Sequence, residues 1–265
     1  MKRAALFVLA CAALAARAQD APAALRVCAD PDNLPYSRED GSGFENRIAR
    51  LIADDFGMPL TYAWLPDIRG FVRKTMGAGL CDVIIGVPVG FERTLNTRPY
   101  YRSSYVLVEP RGDAAPPSDF ADPRLRRWRI GVQLIGDDAA TTPPALALAQ
   151  AGAADNVVGY PIGGMKPAAA RIFEALGRGE LDAAFVWGPQ AGYYAQHAAK
   201  PLQLHYVQPP ATLLEQRFSF AIAMGVKRGN QALRDRLDDF IVRRQGDLDR
   251  ILADYGVPRV QEASP

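Results

Sequence analysis

Histidine is nearly absent from this 265-residue chain, with two copies, and cysteine is scarce, with three. No His-x-x-His, Cys-x-x-Cys or Gly-x-Ser-x-Gly occurs, so the spacings of zinc sites, redox dithiols and nucleophile elbows are missing. The Gly-rich stretch 159–167 lacks the Lys and hydroxyl spacing of a phosphate loop, and Lys166 reads as part of a turn. His197 and His205, without a partner motif, read as surface residues. Asp30, Asp32 and Asn33 suggest a hard-cation site but fail the EF-hand pattern: Pro35 takes the turn-glycine position and Gly41 that of the closing Glu. Turn chemistry is the simpler reading there, as an N-cap region is for Asp137 and Asp138. The expectation is a protein without catalysis of its own and without metal or cofactor, a hydrolase or transferase remaining remote.

Long apolar runs are missing too. The run from Ala4 to Ala16 follows Lys2 and Arg3, is too short for a comfortable membrane span, and ends in Ala16-Arg17-Ala18, a small-x-small cleavage pattern. Residues 1–18 therefore read as a secretory signal peptide. A rival lipoprotein box at Val8-Leu9-Ala10-Cys11 leaves an apolar core of only seven residues. Net charge is also small: the signal takes Lys2, Arg3 and Arg17 from 31 basic residues, leaving 28 against 29 acidic, a net charge of about −1. Nothing in that balance suits nucleic acid or an anionic membrane, and no membrane insertion is expected after cleavage.

What is present is one pattern used twice. An apolar strand, a turn, an amphipathic helix and a second apolar strand run from Leu25 to GLCDVIIGVP (79–88), and recur from Arg129 to ELDAAFVWGP (180–189). About 247 mature residues suit two domains. Residues 19–108 read as the first part of lobe one and the Pro- and Gly-rich stretch near 109 as a boundary, with lobe two at 109–208. Residues 209–265, an apolar strand at 218–226 and two amphipathic helices, then complete lobe one. The expected fold is two interleaved α/β lobes joined by a two-strand hinge, with a cleft between them. After maturation Cys28 and Cys81 remain, each at the start of a strand flanking the first crossover. An exported chain with an even cysteine count favours a disulfide between them over two separately buried thiols.

GFENRIARLIADDFG, GLCDVIIGVPVGFERT, RPYYRSSYVLV, ELDAAFVWGPQAGYY and the final helix pair resemble family 3 periplasmic solute-binding proteins across essentially the whole mature chain. More specifically, RVCADPDNLPYS, GFEN, WLPDIRGFVRKTMGAGLCDVIIGVP and TRPYYRSSYV resemble the MxaJ/XoxJ group, periplasmic proteins associated with methanol dehydrogenases that carry pyrroloquinoline quinone (PQQ). The resemblance implies the two-lobe, type II binding-protein fold, a periplasmic location, and an accessory role in maturation or activation of that dehydrogenase by protein contact.

Open α/β sheets bind ligands beyond the carboxyl ends of their strands, which nominates Asn33 to Tyr36, Trp64 to Phe71 with Arg69 among them, Pro88 to Arg93, Gln133 to Asp138 and Trp187 to Gln190. Amino-acid receptors of the larger family use an Arg after the third strand for the carboxylate and an acid in lobe two for the ammonium. Arg93 roughly takes the first place, whereas Trp187 takes the acid's, so a cationic amine finds no counter-charge there and ordinary amino-acid capture is disfavoured. Aromatics and Arg dominate protein hot spots, and Arg73, Tyr101, Arg102 and Tyr193 join the candidate docking set. Tyrosines within a strand, Tyr101 among them, more often pack in the core, Trp64 and Trp187 suit cleft and core alike, and Arg69 with Arg73 suit a solvated helix face. The alternative function is a receptor feeding a small polar solute, in place of a peptide segment, to an ABC importer.

Overall fold

A computed structural model describes residues 24–135, 140–162, 166–213 and 218–260. The expectations for residues 1–18 and for Asp137 and Asp138 lie outside them. Lobe one begins with β1 (Leu25–Ala29), a hairpin of β2 (Asp32–Asn33) and β3 (Ser37–Arg38), α1 (Phe44–Phe56), β4 (Leu60–Trp64), α2 (Phe71–Lys74) and β5 (Val83–Pro88). The long β6 (Leu95–Pro110) leads to β7 (Ile130–Ile135), β8 (Ala140–Thr141), α3 (Pro143–Gln150), β9 (Val157–Pro161), α4 (Ala168–Arg178), β10 (Ala183–Trp187), α5 (Gly188–Gln196) and β11 (Leu202–His205). The chain then returns through β12 (Ser219–Val226) and α6 (Gln231–Asp254).

The duplicated sequence pattern becomes a duplicated contact. In lobe one Arg26 donates to Gly79 O (2.9 Å) and pairs with Asp82 (2.6 Å), while Asp82 N–H donates to Arg26 O. In lobe two Arg129 donates to Gly179 O (2.7 Å) and pairs with Asp182 (3.4 Å), and Asp182 N–H donates to Arg129 O. Each set ties the start of a lobe's first strand to the end of its crossover.

Both lobes share one sheet, because β6 belongs to both. Its residues 95–104 pair with β12, whereas 105–108 pair with β10 and 107–110 with β11. The switch falls at Ser104 and Tyr105, and the returning chain crosses beside it: Tyr105 N–H and Ser104 Oγ both donate to Phe218 O at 3.0 Å. Two adjacent strands thus form the hinge. A third link is not covalent. After α6, Ser103 Oγ donates to Pro258 O (2.6 Å) and Val260 N–H to Arg102 O (3.1 Å), and this tail lies so close to α5 that a methyl group on Gly192 would overlap Gly256 O.

Alternation in the strands buries both sheet faces. Leu25, Val27 and Ala29 of β1 face the core covered by α1 and α6, while Cys28 faces a smaller cluster with Phe71, Met76 and Ile84. In β10, Ala183 and Phe185 face one core of lobe two and Ala184 and Val186 the other. Helix α1 buries Phe44, Ile48, Ala49 and Ile52, the stripe of a 3.6-residue period, and stops at Gly57, whose φ of 62° is left-handed. Cys28 and Cys81 form a disulfide with a Cα–Cα distance of 5.3 Å. The two expected final helices both form, taken together as α6, and meet at a kink where Arg244 leaves helical geometry (φ −112°, ψ 16°). His205 is not a simple surface residue: it sits half-buried in β11 with Nε2 3.3 Å from Glu109 Oε1. Among the described residues no helix is long and apolar enough to cross a membrane.

Candidate functional site

Beyond the carboxyl ends of β1, β5 and β10 the lobes enclose a cleft of about 600 Å3. Lobe one supplies Asp30 to Asn33, Tyr36, Ser37, Glu45 in the first turn of α1, Asp67, Ile68 and Phe71; Tyr101, Tyr105, Phe220 and Ile222 come from the two hinge strands. Lobe two supplies Gln133, Thr142, Ile162, Trp187 and Gln190.

Of the residues nominated from sequence, Asn33, Tyr36, Phe71, Tyr101, Gln133 and Trp187 line this cleft. Trp64, Arg69, Arg73, Arg93, Arg102 and Tyr193 do not. Trp64 stacks on Tyr62 at 4.4 Å and packs against the lobe-one core, because the alternation of β4 turns both rings toward α1. Arg69 is exposed on the loop ahead of α2. Arg93 follows a tight turn in which Phe91 N–H donates to Pro88 O, which carries it to a separate groove with Arg73, Lys227 and Arg228. Arg102 lies at the hinge, its Nη1 3.5 Å from Ser219 Oγ. Tyr193 stacks on Tyr255, with ring centroids 6.1 Å apart, where α5 meets the end of α6.

Trp187 forms an aromatic wall with Tyr105 (5.4 Å, 65°) and Phe220 (5.7 Å, 67°). Buried Gln133 fixes the strand end behind it, accepting from Trp187 N–H at 3.3 Å and donating to Gln190 Oε1 at 2.8 Å. Opposite this wall the charged residues of the lining are Asp30, Asp32, Glu45 and Asp67, with no Lys or Arg among the described residues. Asp30 is engaged: its carboxylate accepts from Asp32 N–H (2.9 Å) and Asp67 N–H (2.6 Å), which is the turn chemistry the sequence suggested. Glu45, in the first turn of α1, lies over Gly86, where a β-carbon would overlap its Oε1. Burial, and then the charge of Asp67, push the Glu45 carboxyl up to about 8. Desolvation by the surrounding cleft walls, and then Asp30, push Asp67 up to about 6, although the residue stands exposed at the cleft's mouth. No three His, Cys, Asp or Glu side chains converge as metal ligands among the described residues.

The expectation that a cation finds no counter-charge is therefore corrected. The lobe-two position is indeed held by Trp187, but lobe one supplies the carboxylates. Among the described residues the lining offers no cation for an amino acid's carboxylate, since Arg93 lies elsewhere.

Comparison with known proteins places this geometry. Residues 90–257 match the bacterial extracellular solute-binding protein family. The chain belongs to that family. Within it the chain falls in the MxaJ/XoxJ group. The crystal structure of the periplasmic binding protein XoxJ from Methylobacterium extorquens AM1 is 33% identical, with a TM-score of 0.75, covering 90% of this chain and 100% of that one. Protein MoxJ of Methylorubrum extorquens is 29% identical over 249 residues, 88% of this chain and 81% of the relative. The crystal structure of MxaJ from Methylophaga aminisulfidivorans, 23% identical with a TM-score of 0.75 and covering 89% of this chain and 100% of that one, supports the fold alone. The two-lobe, type II binding-protein fold is thus the fold of this chain.

Asp67 fell within the nominated span 64–71 without being named, and Glu45 was missed from sequence. The signal was present for Glu45: α1 starts just beyond β1 and its hairpin, so its first turn faces the space outside the strand ends, where ligands bind.

Proposed function

We propose that this protein is a non-catalytic periplasmic binding protein that clasps a segment of a PQQ-dependent methanol dehydrogenase in its cleft and assists maturation or activation of that enzyme. The observation that carries the reading is likeness to XoxJ along 90% of the chain, combined with an open aromatic cleft in which no Lys or Arg among the described residues awaits an amino acid's carboxylate. The hinge strands at Ser104, Tyr105 and Phe218 allow the lobes to part and reclose around an extended segment, as in other hinged binding proteins. Trp187, standing over the lining with Tyr105 and Phe220, is the natural anchor.

Trp187→Ala weakens association with the dehydrogenase by about 2 kcal/mol, the scale of an aromatic hot spot, while both lobes stay folded by circular dichroism. Calorimetry with the purified enzyme reads this directly, and unchanged affinity contradicts the proposed use of the cleft. A tight small ligand copurifying in the cleft would instead mark a solute receptor of an ABC importer.

A further inference from the structure

We propose that the group entering this cleft is a protonated amine or guanidinium, the side chain of a Lys or Arg on the segment the partner presents, held by the carboxylates of Glu45 and Asp67. This rests on the reading that a protein segment enters the cleft.

The charge of the lining is one-sided, with four acids and no base among the described residues. Two of those acids are left without partners by the fold. No described group donates a hydrogen bond to the side chain of Glu45 or Asp67, and neither is in an ion pair, whereas Asp30 has its two backbone donors. Tyr101 gives a second, independent sign of a missing ligand. It is 8% exposed, lines the cleft, and its hydroxyl has no hydrogen-bond partner among the described residues. Leaving the half-buried Glu45 carboxyl unpaired costs free energy that a matching donor removes. An ammonium or guanidinium brings three to five N–H donors and the compensating charge.

The remaining walls suit the rest of such a side chain. Trp187, Tyr105 and Phe220 provide apolar faces for an alkyl stem and π-faces for its cationic head. Gly86 is part of the same device, since only the absence of a side chain lets the Glu45 carboxylate lie over β5. A metal ion fits less well, because no three ligating side chains converge among the described residues.

The groups facing Glu45 are Tyr36 from the β2–β3 hairpin, Tyr62 from β4, Asp67 from the loop after β4, and Tyr100 and Tyr101 from β6. None is basic. A bound cation therefore draws the proton off Glu45, and its affinity rises with pH across the neutral range.

The test is calorimetry of the mature protein with three capped tripeptides, Ala-Lys-Ala, Ala-Arg-Ala and Ala-Met-Ala, and with n-butylamine. The Lys or Arg peptide binds at least about tenfold more tightly than the Met peptide, a preference of the size that one desolvated charge pair confers. That preference grows between about pH 6 and pH 9. It disappears in Glu45→Gln, and it falls in Asp67→Asn, a change at the exposed mouth that spares the core. Equal binding of the Met peptide, no binding of the cationic peptides, or a preference that survives both variants overturns the proposal. Butylamine binding as tightly as the Lys peptide overturns the protein-segment source and leaves a small amine as the ligand. Dehydrogenase that binds wild type and Glu45→Gln equally well overturns the cation site alone. Cationic peptides that bind while the dehydrogenase does not overturn the partner alone.

Discussion

Changing both Cys28 and Cys81 to Ser lowers the stability of the mature protein by about 4 kcal/mol. The bridge spans 53 residues of sequence, and on the loop-entropy account closing a loop of that length removes about this much free energy from the unfolded ensemble. Both cysteines are buried, at 3% and 0% exposure, in the cluster with Phe71, Met76 and Ile84. Phe71, Ile84 and Cys28 also line the cleft. The bridge therefore ties the central part of lobe one's sheet to the cleft's floor. Urea unfolding of wild type and double variant measures the effect as a lower midpoint, and a loss under about 1 kcal/mol would contradict the account.

The Glu45→Gln variant is more stable than wild type at pH 8, by about 3 kcal/mol once the shift is discounted for the cleft's access to water. In the folded protein the Glu45 carboxyl, held up by burial and by Asp67, keeps its proton to about pH 8, against an ordinary value of 4.5. Between those values unfolding releases a proton. The stability that the protonated group contributes is complete below the unfolded value and is lost as pH rises through the folded one. The variant has no such dependence, so the two proteins converge near pH 4 and diverge toward pH 8. In thermal melts the gap amounts to about 6 °C or more. A variant no more stable than wild type at pH 8 contradicts the description of Glu45 as a carboxyl without partners.

The overall plan was legible in the sequence because its signals are local and repeated. The motif from Arg26 to Asp82 and its copy from Arg129 to Asp182 fold into the same strand-crossover tie. The stripe of α1 and the stop at Gly57 follow directly from helical periodicity and the freedom of glycine. The site was harder to read, because a side chain's direction depends on packing between elements. Trp64 and Trp187 both end strands, yet only Trp187 lines the cleft, since β4 presents its aromatic face to α1. Arg93 is diverted by the turn after Pro88, which spacing alone does not show. Glu45 was hidden within a motif that reads as helix start, and its isolation appears only when the surrounding tyrosines and Gly86 are in place.

The central claim is that the cleft serves a methanol dehydrogenase. Its most direct measurement is to titrate the purified mature protein into that enzyme, prepared with and without its quinone, and to follow complex formation together with the active fraction. Preferential binding to the quinone-free enzyme, with a gain in active fraction on adding the quinone, is the predicted result. No association with either form would contradict it.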